Sequence, residues 1–149
     1  RIYKVRNYLN NEPFMLTYGD GLSDINLDSL LAFHRSKNLA ITVTGVRPPA
    51  RFGELQVGSD GIATGFNEKP QASAGMISGG FFVCEPTVFA HMNSREDLVF
   101  EQDPMQSLVG EKLLAVYQHD GFWQCMDTFR DWQLLNSMID QEKAPWKVW

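Results

Sequence analysis

The chain has little that would mark it for a membrane, for nucleic acid or for an oxidising compartment. Cysteine is scarce: Cys84 and Cys125 are the two present, far apart and without CxxC spacing. That pattern excludes a disulfide framework and a cysteine-histidine zinc site, and two reduced thiols point to a cytoplasmic protein. No apolar run approaches the ~20 residues a membrane-spanning helix needs, and no secretory signal is recognisable. Positive charge is also in short supply. Thirteen Lys and Arg face 18 Asp and Glu, for a formal net charge of −5, and the basic residues never form a run. A nucleic-acid surface or an anionic lipid face would need the opposite balance. Internal repeats and low-complexity tracts are missing. So is an initiator methionine: the chain opens on Arg1 and soon enters a core-like run at Phe14, as the remaining part of a longer polypeptide would.

What is there suits one globular unit. The 149 residues are 44% hydrophobic and 21% charged, enough for one core and too few for two ordinary domains. Residues 1–149 are therefore expected to form a single α/β domain. Its organising stretch is Phe14-Met15-Leu16-Thr17-Tyr18-Gly19-Asp20-Gly21. A short apolar run that stops at glycines reads as a buried, parallel-type strand. Ligands of open α/β sheets bind just beyond the carboxyl ends of such strands. Asp20 stands at that end, where it could hold a hard cation or a substrate hydroxyl, or merely cap the turn.

The chain then runs in α/β order. Asn26 is a candidate N-cap, and Leu27, Leu30, Leu31 and His34 recur at helical spacing, with His34 an ordinary interfacial residue. Leu39–Val46 is β-rich, and strand, helix, strand makes a crossover unit. The proline-containing segment Arg47–Gly53 must be a loop, with cations at Arg47 and Arg51. Glu54–Val57 and Ile62–Phe66 flank a Gly-Ser-Asp-Gly turn and predict a hairpin. Directly afterwards stand Glu68 and Lys69, before Pro70. In the extended backbone that Pro70 favours they point to opposite sides and address different parts of a ligand. Met76–Cys84 is a second apolar strand, interrupted by Gly79 and Gly80, where a bulge or a close approach is expected. Short helices are predicted over 86–92 and 104–112, and a strand over 113–118. Thr128 and Asp131 have capping-box-like spacing for a last helix, whose buried face is expected from Phe129, Trp132, Leu135 and Ile139. The Trp-rich tail after Pro145 is too apolar to hang free.

Asp20, the Glu68-Lys69 pair and Asp127 thus fall on separated elements that point to one end of a sheet. Two carboxylates and a lysine are what the joining of two anionic phosphates requires. Like charges must meet there, at a cost of several kcal/mol at ~4 Å in an effective dielectric near 20. A lysine point charge and a cation held by carboxylates remove that penalty.

The order of Tyr18-Gly19-Asp20-Gly21, Arg51-Phe52-Gly53-Glu54-Leu55, Glu68-Lys69-Pro70, Gly79-Gly80-Phe81-Phe82-Val83, Asp120-Gly121-Phe122-Trp123-Gln124, Met126-Asp127-Thr128 and Lys143-Ala144-Pro145-Trp146-Lys147-Val148-Trp149 resembles the sugar-nucleotidyltransferase family, in particular its cytidylyltransferases for glucose 1-phosphate. The likeness runs along essentially the whole chain. It implies a truncated Rossmann-like nucleotidyltransferase fold, with a mixed, mostly parallel sheet and flanking helices. It implies Asp20 and Asp127 as ligands of Mg²⁺, Lys69 on the sugar phosphate and Glu68 on sugar hydroxyls. Gly53 and the strand segment Ser78, Gly79 and Gly80 would approach the sugar. Catalysis would then rest on Lys69, Asp20 and Asp127 without a protein nucleophile, a sugar 1-phosphate being the partner molecule.

The chain departs from the family's pattern in three places. Ser78 stands where members usually have Asn, and Cys125 where they usually have Pro. The Gly-rich loop that wraps the triphosphate, which opens the family's sequences, is not in this chain, and that leaves nucleotide binding unsupported. The expectation is a truncated, inactive nucleotidyltransferase; the alternative is a non-enzymatic sugar-phosphate-binding or oligomerisation module. A sheet that has lost strands exposes an edge that needs cover, so a homo-oligomer is expected. A metal-dependent glycosyltransferase would want two aspartates one residue apart at the strand end, and Asp20-Gly21-Leu22 does not supply the second.

Overall fold

The computed structural model of the protein describes residues 2–48, 54–67, 75–95 and 97–148. A short helix α1 (Ile2–Val5) and a 3-10 turn (Arg6–Tyr8) lead to β1 (Phe14–Thr17), β2 (Gly21–Ser23), α2 (Leu27–Lys37) and β3 (Ile41–Val46). The hairpin β4 (Glu54–Val57) and β5 (Ala63–Asn67) follows, then β6 (Ile77–Cys84) and a 3-10 helix (Pro86–His91). The chain closes with α3 (Asp103–Gly110), β7 (Leu114–His119), β8 (Trp123–Cys125) and α4 (Phe129–Asp140).

A four-stranded sheet of order β1-β6-β3-β7 forms the frame. β6 runs antiparallel to both of its neighbours while β3 and β7 pair in parallel, so β1, β3 and β7 share one direction. The sheet is mixed, as expected, but the expectation that it is mostly parallel is corrected: two of its three pairings are antiparallel, because β6 inserts between β1 and β3. The reading of β1 as a buried parallel strand is corrected here. β1 pairs antiparallel with β6 at one edge of the sheet, and Met15 on its outer face is 48% exposed. Four residues without polar alternation look alike in a central strand and in an edge strand, so periodicity cannot separate them.

Each face of the sheet has its own cover. On one face Ile41, Val43, Phe82 and Cys84 pack with Val88, Met92, Phe100 and Leu108, so the 3-10 helix, α3 and the turn between them form that layer. Phe82 carries the aromatic contacts, tilted against Tyr18 and edge-on to Phe100. On the other face α2 lies over β3 and β7, with Leu30 and His34 buried and Phe33 edge-on to Tyr117. The buried His34 is satisfied by its Nδ1 contact with Thr42 Oγ1 at 2.8 Å and its Nε2 contact with Glu85 Oε1 at 3.2 Å. It serves the core, as expected.

The caps behave as their sequences require. Asn26 Oδ1 accepts from Ser29 N at 2.8 Å at the start of α2. Thr128 and Asp131 form a reciprocal capping box on α4. The expected buried face of α4 is corrected in part. Leu135 is buried, but Phe129, Trp132 and Ile139 are 69%, 47% and 44% exposed, with Phe129 and Trp132 stacked on each other. Helical spacing shows that a stripe is apolar and says nothing of whether a partner lies opposite it. In the tail, Trp146 stacks on Phe122 at 5.1 Å, which satisfies the expectation that it docks, whereas Trp149 lies outside the described residues.

Candidate functional site

The site is built where β1 and β6 meet a small ribbon. β2 and β8 pair antiparallel, with Gly21 opposite Cys125, Leu22 opposite Gln124 and Ser23 opposite Trp123. Neither segment reads as a strand in sequence, since three residues carry no period. One step beyond the ladder, Met126 N donates to Asp20 O at 2.8 Å. That bond sets Asp20 opposite Met126, so the backbone of Asp127 lies one residue along from Asp20's partner although the two aspartates are 107 positions apart in the chain. Both aspartates are exposed.

The glycine strand abuts this ribbon. Along β3 and β6 the register passes from Val43 opposite Phe82 to Gly45 opposite Ser78, so β6 carries a bulge at Gly79 and Gly80. Gly80 takes φ +77°, and a Cβ there would stand 2.7 Å from Tyr18 Cδ2. At Gly79 a Cβ would meet Val46 Cγ1 at 2.8 Å and Thr44 O at 3.2 Å. Both anticipated explanations, a bulge and a close approach, therefore hold, and the approaching groups are protein. Trp123 Nε1 donates to Gly79 O at 2.8 Å, and a Cβ on Gly21 would lie 3.6 Å from the same carbonyl oxygen. Ser78 Oγ accepts from Gly80 N at 3.3 Å.

The structure thus brings Asp20, Asp127 and the segment Ser78, Gly79, Gly80 to one end of the fold. Gly53, Glu68 and Lys69 lie outside the described residues. Arg47, one of the two cations placed on the proline-containing loop, is engaged by Asp120 in an ion pair.

Tyr18, which sequence reasoning left without a role, extends this polar surface. Its hydroxyl donates to Glu101 Oε1. Burial, followed by the hydrogen bond and charge of Glu101, holds the phenol well above its ordinary titration range, so it stays protonated as a donor. The only sequence sign was the position of Tyr18 two residues before Asp20.

Cys125 sits beside the aspartate pair. Burial raises its thiol pKa, and a hydrogen bond to Asp127 raises it further. Cys84 in the core is pushed up to about 12, mainly by burial. Because the thiolate is the reacting form, both thiols should alkylate slowly at pH 8. Asp127→Asn should speed alkylation of Cys125 several-fold and leave Cys84 unchanged, as followed by mass spectrometry of iodoacetamide adducts. Equal rates at Cys125 before and after the substitution would place Asp127 away from the thiol.

Two exposed carboxylates fit a hard divalent cation of the magnesium type. Such an ion accepts one or two carboxylates, keeps several waters and takes its remaining ligands from substrate phosphates. Among the described residues no group of three or more His, Cys, Asp and Glu could hold a metal by itself, so softer, protein-caged ions fit less well. Nor is any helix of the described residues long and apolar enough to cross a membrane.

Comparison with known proteins gives a consistent result. The family model described as nucleotidyl transferase matches residues 1–140. The chain is 44% identical over 149 residues to a probable glucose-1-phosphate cytidylyltransferase of Bacillus subtilis, covering all of this chain and 58% of that protein. It is 38% identical over 150 residues to glucose-1-phosphate cytidylyltransferase of Salmonella typhimurium, again with 58% of the relative covered. Among solved structures, a putative glucose-1-phosphate thymidylyltransferase from Bacillus anthracis superposes with a TM-score of 0.66 at 16% identity, over 92% of this chain and 58% of that one. The chain therefore spans somewhat more than half the length of each of these three relatives.

Proposed function

The chain belongs to the nucleotidyl transferase family, and from that premise we propose that it is the sugar-phosphate and metal side of a glucose-1-phosphate cytidylyltransferase. The reaction is attack of a glucose 1-phosphate oxygen on the α-phosphate of CTP, giving CDP-glucose and pyrophosphate. The single observation that carries the reading is the ribbon, which pairs Asp20 with Met126, the neighbour of Asp127, and lies against the Gly79-Gly80 strand through Gly21 and Trp123. The relatives from Bacillus subtilis and Salmonella typhimurium support the choice of sugar and base by name.

In this reading Asp20 and Asp127 hold Mg²⁺, which when bound would screen the phosphate charges as attacker and leaving group approach. Lys69 neutralises the sugar phosphate as a point charge. Glu68 accepts from sugar hydroxyls, and Gly53 and the Ser78–Gly80 backbone set the sugar's position. The chain supplies no nucleophile, because positioning and charge stabilisation are the whole of its task. A cytoplasmic location suits two unpaired cysteines.

Turnover by these 149 residues alone is expected to be low, since no Gly-rich loop offers backbone donors to a triphosphate. With CTP, glucose 1-phosphate and Mg²⁺, pyrophosphate release should stay at background. Glucose 1-phosphate alone should still raise the melting temperature, by RT ln(1 + [L]/Kd) in free energy, and Lys69→Ala should abolish that rise. Robust pyrophosphate release would refute the low-turnover expectation, and an unaltered thermal shift in the Lys69→Ala protein would refute the assigned role of Lys69.

Self-association is the second part of the proposal. Leu55, Val57, Ile62 and Phe66 on the β4–β5 hairpin, and Phe129 and Trp132 on α4, leave large apolar groups in water, which a second copy of the chain would cover. Light scattering at micromolar concentration should report a dimer or larger, and a clean monomer would contradict it.

A further inference from the structure

We propose that His119 and Asp24 form a clasp that positions the Asp20–Asp127 pair from the far end of the β2–β8 ribbon. The inference rests on the metal reading given above and adds two positioning residues to it. His119 is the last residue of β7, and its Nε2 lies 2.9 Å from Asp24 Oδ1 and 3.2 Å from Phe122 O. A carbonyl oxygen can only accept, so Nε2 carries the proton and donates to both. Ser23 Oγ also donates to Phe122 O at 2.6 Å, and Asp24 N does so at 3.3 Å. Three donors from two elements converge on one carbonyl.

The imidazole is largely enclosed, its side chain 12% exposed against 35% for Asp24. Gly121 lies against the pair: a Cβ there would stand 2.6 Å from Asp24 Oδ1 and 2.7 Å from His119 Cε1. The clasp thus explains why this position admits no side chain. Arg47 and Asp120 form a separate ion pair next to it in the chain.

The clasp acts on the site through the ribbon's length. Asp24 follows β2 and Phe122 precedes β8, whereas Asp20 precedes β2 and Met126 follows β8. The clasp and the aspartates therefore stand at opposite ends of a ladder three pairs long, roughly 10 Å at the rise of a strand. So short a two-stranded ladder is marginal on its own. Pinning one end to β7 fixes the register, and the register sets Asp20 beside Asp127.

The test compares the unsubstituted 149-residue chain with His119→Ala and His119→Gln, Gln being able to present an amide N–H near the place of Nε2. Two readouts are taken: Mn²⁺ binding by electron paramagnetic resonance, and amide hydrogen exchange at Met126, whose N–H bonds Asp20 O. For a hydrogen bond to a charged group, His119→Ala should weaken Mn²⁺ binding about tenfold and speed Met126 exchange about tenfold, and His119→Gln should restore most of both. If Ala at 119 prevents folding, Asp24→Asn makes the same comparison. Unchanged Mn²⁺ affinity in His119→Ala, or a Gln variant no better than Ala, overturns the positioning role. If the unsubstituted chain binds no Mn²⁺, the metal reading fails, and Met126 exchange still decides whether the clasp holds the ribbon.

Discussion

Gly80→Val should cost this protein on the order of 10 °C in melting temperature. Gly80 adopts φ +77°, and a Cβ there would stand 2.7 Å from Tyr18 Cδ2 and 3.2 Å from Tyr18 Cβ. Left-handed backbone costs an L-residue about 1–2 kcal/mol, and overpacking adds about 1–3 kcal/mol. For a chain of this size each kcal/mol lowers the midpoint by roughly 2–4 °C. The local alternatives are closed: Tyr18 is held by N–H donation to Gly80 O at 2.9 Å and by its hydroxyl bond to Glu101. Tyr18 can yield only by giving up contacts with Phe82, the aromatic centre of the core. Gly110→Ala is the control. Its Cβ would meet nothing within 4 Å and its φ is not in the left-handed range, so stability should hold or rise. Equal melting temperatures for Gly80→Val and the unsubstituted chain would show that the bulge is not held as described.

This bulge also shows how far the sequence could be read. Two glycines inside an apolar run announced a bulge or a close approach, and both occur. The identity of the approaching groups was not legible, because Tyr18 and Trp123 reach Gly79 and Gly80 across sheet pairings that local pattern does not encode. Caps were readable at Asn26 and Thr128, since capping chemistry is confined to four consecutive residues. The β2–β8 ribbon was not: Gly21–Ser23 and Trp123–Cys125 are too short to show alternation, and their pairing is wholly non-local. Asp20 and Asp127 could be singled out because each follows a strand-like stretch and each matches a family motif. Asp24 and His119 could not, because a polar pair 95 residues apart leaves no local trace. The exposure of Phe129, Trp132 and Ile139 was hidden for a different reason. Amphipathic spacing describes the helix, whereas burial depends on what else is present to cover it.

The second large effect concerns the aspartates themselves. The ribbon brings the backbones of two exposed aspartates close together, and like charges so placed gain nothing from each other. A divalent cation reverses the sign of that interaction, and each carboxylate then depends on the other to hold it. Losing either one should remove most of the affinity, so the two substitutions should not add. Mn²⁺ titration of the unsubstituted chain, Asp20→Asn, Asp127→Asn and the double variant, read by electron paramagnetic resonance, tests this most directly. The account predicts at least a tenfold loss in each single variant, with little further loss in the double. Binding unaffected by either substitution, or losses that simply add, would contradict a shared site and with it the phosphate-handling role of this end of the fold.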